Sequence, residues 1–405
     1  MGRAWLVNSW KARPAPCRKD WSFKNMWPST RGPTAPAGSP PTRRAATSSP
    51  ASQRWRRVAS EAAMPALFPL LLLLAASQQA AASQQADAGF PAVDSLLASA
   101  LPKDGGGVLR VAQRATVLFE KAYGGYRRDD AIPIASGTQL LSVVVLLHLV
   151  DAQKLALDAG VSSVLRDWPA DKAAVTLRML LAHTSGLAPT AACLEDRNTT
   201  LAACVQQIAG TPLRKDPGTA VLYGSTGLQV AGRMAEVATG KSWAELFREH
   251  LTGPLGLRAT GFGRTANPRI AGGAQSTAAE YGRVLELLVK GGETAGVRLL
   301  SSALVDAMFQ DQSGGAPLVQ SPYALLPGRE ASRPGFGVWL DRTDGLGHGL
   351  EAVCQGVYGF TAWMDRERQL GGVLLVRSDL RRIAPLEQQV RTWFRQTVSP
   401  VQAER

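Results

Sequence analysis

Lysine never stands three residues after a serine in these 405 residues, and cysteine (4), histidine (4) and aromatic residues (6%) are sparse. The first absence excludes a Ser-x-x-Lys acylation centre, in which the lysine shares a helix face with the serine it activates. No Gly-x-Ser-x-Gly stretch exists either, so there is no nucleophile elbow of the α/β-hydrolase kind. His148, His183, His250 and His348 are scattered, and no Cys/His cluster has metal-ligand spacing, so neither a metal nor a cofactor is expected. No apolar run reaches the roughly 20 residues needed to span a bilayer.

Acidic residues are the scarcer charge, leaving a net +13, but the excess is local. Residues 1–63 hold twelve Lys and Arg against Asp20 and Glu61, a balance of +10. The remainder has too little positive charge for a nucleic-acid footprint, so nucleic acid is excluded as a partner of the folded part. Residues 1–63 are rich in Pro, Ser, Arg and Ala and fit a disordered leader, or an untranslated stretch ahead of a start at Met64. From Met64 an apolar run of roughly 11 residues precedes Ala80-Ala81-Ala82, which reads as a signal peptide over 64–82. Export to the periplasm or medium is expected, with no transmembrane segment after cleavage, and the mature protein is expected to be a monomer. An oxidising compartment permits a disulfide between Cys193 and Cys204; two buried free thiols are the alternative. Cys17 lies in the leader and Cys354 is left without a partner.

With 45% hydrophobic content, the rest is long enough for a sizeable core. A short helix is expected over Pro91–Leu101, then a hairpin of Val108–Val111 and Thr116–Tyr123. A long apolar helix begins at Ser136 and ends near Gln153-Lys154. Helical patterns fill much of 155–330, at Gly227–Thr239, Ser242–Leu251, Thr277–Gly291 and Ser301–Phe309. Strand patterns return at Gly335–Leu340, Gly356–Met364 and Gly371–Arg377, and an amphipathic helix closes the chain over Ile383–Thr397. Strands at both ends around a helical middle predict an α/β (α+β) domain over 90–397. Its antiparallel sheet comes from about 90–130 and 335–397, flanked by terminal helices, with a large helical insertion over about 136–330.

Ser136 and Gln139 share the first turn of the apolar helix. They fit a Ser-x-x-Gln capping box, in which both side chains satisfy orphan backbone N–H groups. They also fit an acylation centre whose lysine has become an amide. Further motifs favour a family. Leu180-Leu181-Ala182-His183-Thr184-Ser185-Gly186-Leu187, the lead-in Leu149-Val150-Asp151-Ala152-Gln153-Lys154-Leu155-Ala156-Leu157-Asp158, the block Pro217–Ser225 and Pro254-Leu255-Gly256-Leu257 occur in order. Together they resemble the signature blocks of class C β-lactamase-related serine hydrolases, which include β-lactamases, D-alanyl-D-alanine peptidases and esterases.

The resemblance implies the β-lactamase/transpeptidase-like fold and acyl transfer through a serine. It puts Ser136 at the nucleophile, Tyr223 at the proton acceptor, and Ser225 where an asparagine or serine contacts substrate or the residue at 139. The third motif falls on Cys354-Gln355-Gly356, with Val357 giving the second oxyanion N–H; a rival alignment uses Gly347-His348-Gly349. His183 and Ser185 read as turn and packing residues. Gln139 departs from the family's lysine. A tyrosine with the ordinary pKa of about 10 is ionised in about one molecule in a thousand at neutral pH, and an amide cannot lower that value as an ammonium would. Two functions follow: a weakened serine hydrolase acting on a small-molecule or peptide ester, amide, β-lactam or D-Ala-peptide-like substrate, or a non-catalytic relative that binds a peptide or cell-wall fragment in the same cleft.

Overall fold

The structure, a computed structural model, describes residues 90–101, 105–196, 198–321, 326, 329 and 331–401. The leader at 1–63 and the signal peptide at 64–82 lie outside the described residues. In chain order, α1 (Pro91–Ala100) precedes β1 (Gly106–Gln113), β2 (Thr116–Gly124) and β3 (Ile132–Pro133). A 3-10 turn, Ala135–Gly137, then runs into α2 (Thr138–Asp151), followed by α3 (Val161–Val164), α4 (Leu177–Leu181) and α5 (Leu201–Ala209). Next come β4 (Val221–Leu222), α6 (Thr226–Thr239), α7 (Trp243–Phe247), β5 (Gln275–Ser276) and α8 (Ala278–Val289). The insertion ends with β6 (Glu293–Thr294), β7 (Val297–Arg298), α9 (Ser302–Met308) and β8 (Leu318–Gln320). The chain finishes with β9 (Arg333–Pro334), β10 (Trp339–Thr343), β11 (Gly349–Gln355), β12 (Thr361–Asp365), β13 (Leu370–Val376) and α10 (Leu380–Thr397).

Seven strands form one antiparallel sheet in the order β2-β1-β13-β12-β11-β10-β9, so the two ends of the domain meet where β1 pairs with β13. This is the β-lactamase/transpeptidase-like architecture expected from the sequence. One face of the sheet packs against the helical insertion, the other against α1 and α10. Successive β11 residues divide between them: Cys354 belongs to the first core, Val353 to the second, as the two-residue period of a strand requires. Helix α2 is apolar on all sides, and nearly every residue from Thr138 to Leu149 is buried. A helix without a polar face sits inside a core, and α2 runs through the middle of the first one. Among the described residues no helix is long and apolar enough to cross a membrane.

Three boundaries depart from expectation. The strand foreseen over Gly335–Leu340 starts only at Trp339, because Gly337 takes a left-handed φ of 71°. The strand foreseen over Gly356–Met364 is a turn as far as Phe360, whose carbonyl accepts from the Gly356 N–H at 2.8 Å; β12 begins at Thr361. Strand β11 was not foreseen at all. It carries Glu351 at a fully buried position, a charge that breaks the apolar pattern and is satisfied only in three dimensions. Helix α7 ends at Phe247 and widens into a π-helical turn, Arg248–Thr252.

That satisfaction comes from Arg342 of β10, at 3.1 Å, and from α10. The Arg391 guanidinium meets Asp341 at 2.5 Å, Glu351 at 3.1 Å and Glu387 at 3.2 Å, and Arg395 meets Glu351 at 3.0 Å. The surrounding carboxylates hold Arg391 more firmly protonated than usual. Removing one partner from a buried ionic cluster strands the others' charge, at a cost of about 3–5 kcal/mol. Arg391→Leu is therefore expected to lower unfolding free energy by that amount in urea titration, and a change below about 1 kcal/mol would contradict the account.

Candidate active site

Ser136 is presented by the tight turn that precedes α2, with Ala135 at a left-handed φ of 46°. A non-glycine residue there costs of order 1–3 kcal/mol and persists only when its surroundings over-determine it. Those surroundings are visible. A Cβ on Gly137 would lie 2.4 Å from the Phe360 ring, and one on Gly356 would lie 2.3 Å from the Ile134 carbonyl oxygen. Only glycine lets the turn after β11 approach the serine so closely. The Cys354 thiol donates to the Ser136 carbonyl at 3.7 Å, and the Tyr281 hydroxyl donates to the Gly137 carbonyl at 2.8 Å.

Tyr223 follows β4 and faces the same turn. Its backbone N–H donates to the Gln320 carbonyl at 3.0 Å, and the Gln320 amide returns a bond to the Tyr223 carbonyl at 3.1 Å. The ring packs against His183 (centroids 4.8 Å apart) and Trp339 (5.8 Å). The Gln139 amide donates to the Tyr223 hydroxyl at 2.7 Å. The Ser136 hydroxyl is also close enough to Tyr223 to favour its ionised form, but burial outweighs both and pushes the phenol well above its ordinary value. Among the described residues no cation acts on this hydroxyl. The capping box is not formed: α2 has no side-chain cap, whereas Ser242 and Glu245 build one on α7.

The remaining sequence-derived residues divide. Gly356 abuts the Ser136 turn, the exposed Val357 follows it in sequence, and neither the Ser136 N–H nor the Val357 N–H has a partner among the described residues. Two such donors are what an oxyanion requires. Ser225 follows Tyr223 as the N-cap of α6, held by its N–H to the Pro189 carbonyl at 2.7 Å. Gln355 is a correction. Its side chain turns to Glu387 at 3.4 Å, on the α10 face, because strand alternation sends it opposite to Cys354. The rival His348 sits at the far end of β11, about 20 Å along the strand, where its ring bonds Asp344 at 2.9 Å. Cys193 and Cys204 form the disulfide, and Cys354 is a buried free thiol that desolvation pushes up to about 11. His148 and His250, distant in sequence, pack with centroids 4.7 Å apart; no group of three or more His, Cys, Asp or Glu among the described residues could hold a metal ion. Sequence reasoning missed Tyr281, Phe360, Trp339 and Gln320. None lies in a quoted motif as a polar group, and only their contacts reveal them.

The sequence from 97 to 387 matches the family model described as Beta-lactamase. The chain belongs to the Beta-lactamase family. Penicillin-binding protein 4 of Amycolatopsis lactamdurans is 35% identical over 134 residues, 32% of this chain and 35% of that protein. Esterase EstB of Burkholderia gladioli is 30% identical over 263 residues, 57% of this chain and 67% of EstB. A β-lactamase candidate from Bacteroides dorei DSM 17855 superposes with a TM-score of 0.69 at 28% identity, covering 75% of this chain and 98% of that one. The chain thus spans about a third of penicillin-binding protein 4 and two thirds of EstB.

In this member of the Beta-lactamase family, His183 takes a left-handed φ of 59°, and burial pushes its imidazole down to about 4. An unfolded histidine binds a proton near pH 6.5, whereas the folded one stays neutral until about pH 4. Between those values the unfolded chain holds more protons, so stability falls as pH drops through the window and levels off below it. The loss attributable to His183 is up to about 3 kcal/mol. Denaturant titrations from pH 7 to 4 are expected to show a flatter decline for His183→Asn, which tolerates the backbone conformation; parallel curves would contradict this.

Proposed function

We propose that the protein is an exported serine hydrolase that acts through an acyl-enzyme at Ser136, slowed by the amide at 139 and directed to ester substrates. The observation that carries this reading is the 2.7 Å bond from Gln139 to Tyr223, with the Ser136 hydroxyl beside the same phenol. A reaction centre is assembled there, but without its cation. The attacking hydroxyl must lose a proton, and a protonated Tyr223 can accept one only through an uphill transfer. Loss of general-base help costs a factor of about 10²–10⁴. That excludes useful turnover of an amide or β-lactam more readily than of an activated ester, whose leaving group needs little assistance. The N–H groups of Ser136 and Val357 would receive the oxyanion. EstB, an esterase by name, supports the ester preference, and the Cys193–Cys204 disulfide suits an exported location.

A second reading, a cleft that binds a peptide or cell-wall fragment without reacting, draws support from the same neutral pair. Labelling with a fluorophosphonate separates them. Label on the native protein that disappears in Ser136→Ala is expected; no label on either would favour the binder. Gln139→Lys is expected to raise nitrophenyl acetate hydrolysis about a hundredfold and to extend activity to lower pH, since an ammonium favours the phenolate. An unchanged rate would refute the role given to Gln139.

A further inference from the structure

The Ser136 turn is gripped from a helix that no sequence motif connects to it. Tyr281 lies on α8, fully buried, and its hydroxyl reaches the Gly137 carbonyl at 2.8 Å across 144 residues of sequence. Gly137 is the N-cap of α2, whose carbonyl already accepts the first intrahelical bond. A second donor is therefore not needed to satisfy that oxygen. The Tyr281 ring packs edge-on against Phe360 at 4.7 Å, and Phe360 in turn fills the space beside Gly137. The same hydroxyl bears on the Cys354 thiol, which lies 3.7 Å from the Ser136 carbonyl. The phenol thus holds one carbonyl of this turn and neighbours the thiol that bonds the preceding one, and Ala135 of the same turn is in the left-handed region.

We infer that Tyr281 is a positioning residue for acyl transfer: by holding the Gly137 carbonyl it fixes where the Ser136 hydroxyl and N–H point. The inference rests on the reading of Ser136 as the nucleophile. Tyr281→Phe keeps the ring packing and removes only the hydroxyl, with its bond to Gly137 and its contact with the Cys354 thiol. Small misplacements of a reacting group cost rate rather than ground-state affinity.

The test uses the full chain, with the rate of fluorophosphonate labelling and the kinetics of nitrophenyl acetate hydrolysis as readouts. Tyr281→Phe is expected to lower the labelling rate and kcat about tenfold with KM nearly unchanged. Glu286→Gln is the control. It sits on the same helix but pairs with Arg110 at 3.3 Å, so it is expected to lower Tm and leave the labelling rate alone. Labelling of Tyr281→Phe at the native rate overturns the inference, as does an equal drop in Glu286→Gln, which would mark general destabilisation. A native protein that takes no label removes the nucleophile reading and this inference with it, whereas a labelled native protein with an unaffected Tyr281→Phe removes this inference alone.

Discussion

A hydrogen bond between two uncharged groups, the Gln139 amide and the Tyr223 hydroxyl, joins α2, which follows directly on the Ser136 turn, to the segment that follows β4. Three titratable groups near it are held neutral as well. His183 is held deprotonated by burial, Cys354 is held protonated, and Tyr223 is pushed away from ionisation. A lysine at 139 would place an ammonium in this enclosure, where burial of an isolated charge costs several kcal/mol unless a partner ionises with it. In a site built around such a cation, the phenolate is that partner. Here the position holds an uncharged amide, and the phenol beside it is held protonated by burial.

The geometry does not depend on those charges. Ser136 is placed by a strained Ala135, by the bare backbone of Gly137 and Gly356, and by the Phe360 ring. His183, the second left-handed non-glycine residue at the site, supports Tyr223 by ring packing and gives its carbonyl to the Leu222 N–H at 2.8 Å. These are steric and backbone contacts, indifferent to the ionisation of the residue at 139. Strain of this sort persists where surrounding structure over-determines it, and the over-determination here comes from β11 and α8, not from the acylation motif.

That Ser136, Gln139 and Tyr223 come together could be read from the sequence because local spacing and block order carry it: a pair three positions apart, then a tyrosine in a recognisable loop. The sheet-plus-insertion plan was legible for the same reason, since strand and helix periods alternate along the chain. β11 was not, because Glu351 interrupts its apolar pattern and is neutralised by Arg342 on the adjacent strand and by Arg391 and Arg395 from the distant α10. The facing of Gln355 was hidden with it: a residue's side of the sheet is decided by strand register, and that strand had not been recognised. Tyr281 gave no signal either, being one apolar position among several on an amphipathic helix.

The consequence is a separation between what builds the pocket and what sets its chemistry. Packing and backbone bonds keep the serine and the phenol side by side; in the acyl-enzyme reading proposed above, the side chain at 139 sets how readily a proton leaves the serine. Because the amide reaches the same hydroxyl that an ammonium would address, substitution there changes the electrostatics without requiring the fold to move. A pocket arranged in this way can lose most of its rate and keep its shape, since the interactions that hold Ser136 and those that would activate it involve different atoms.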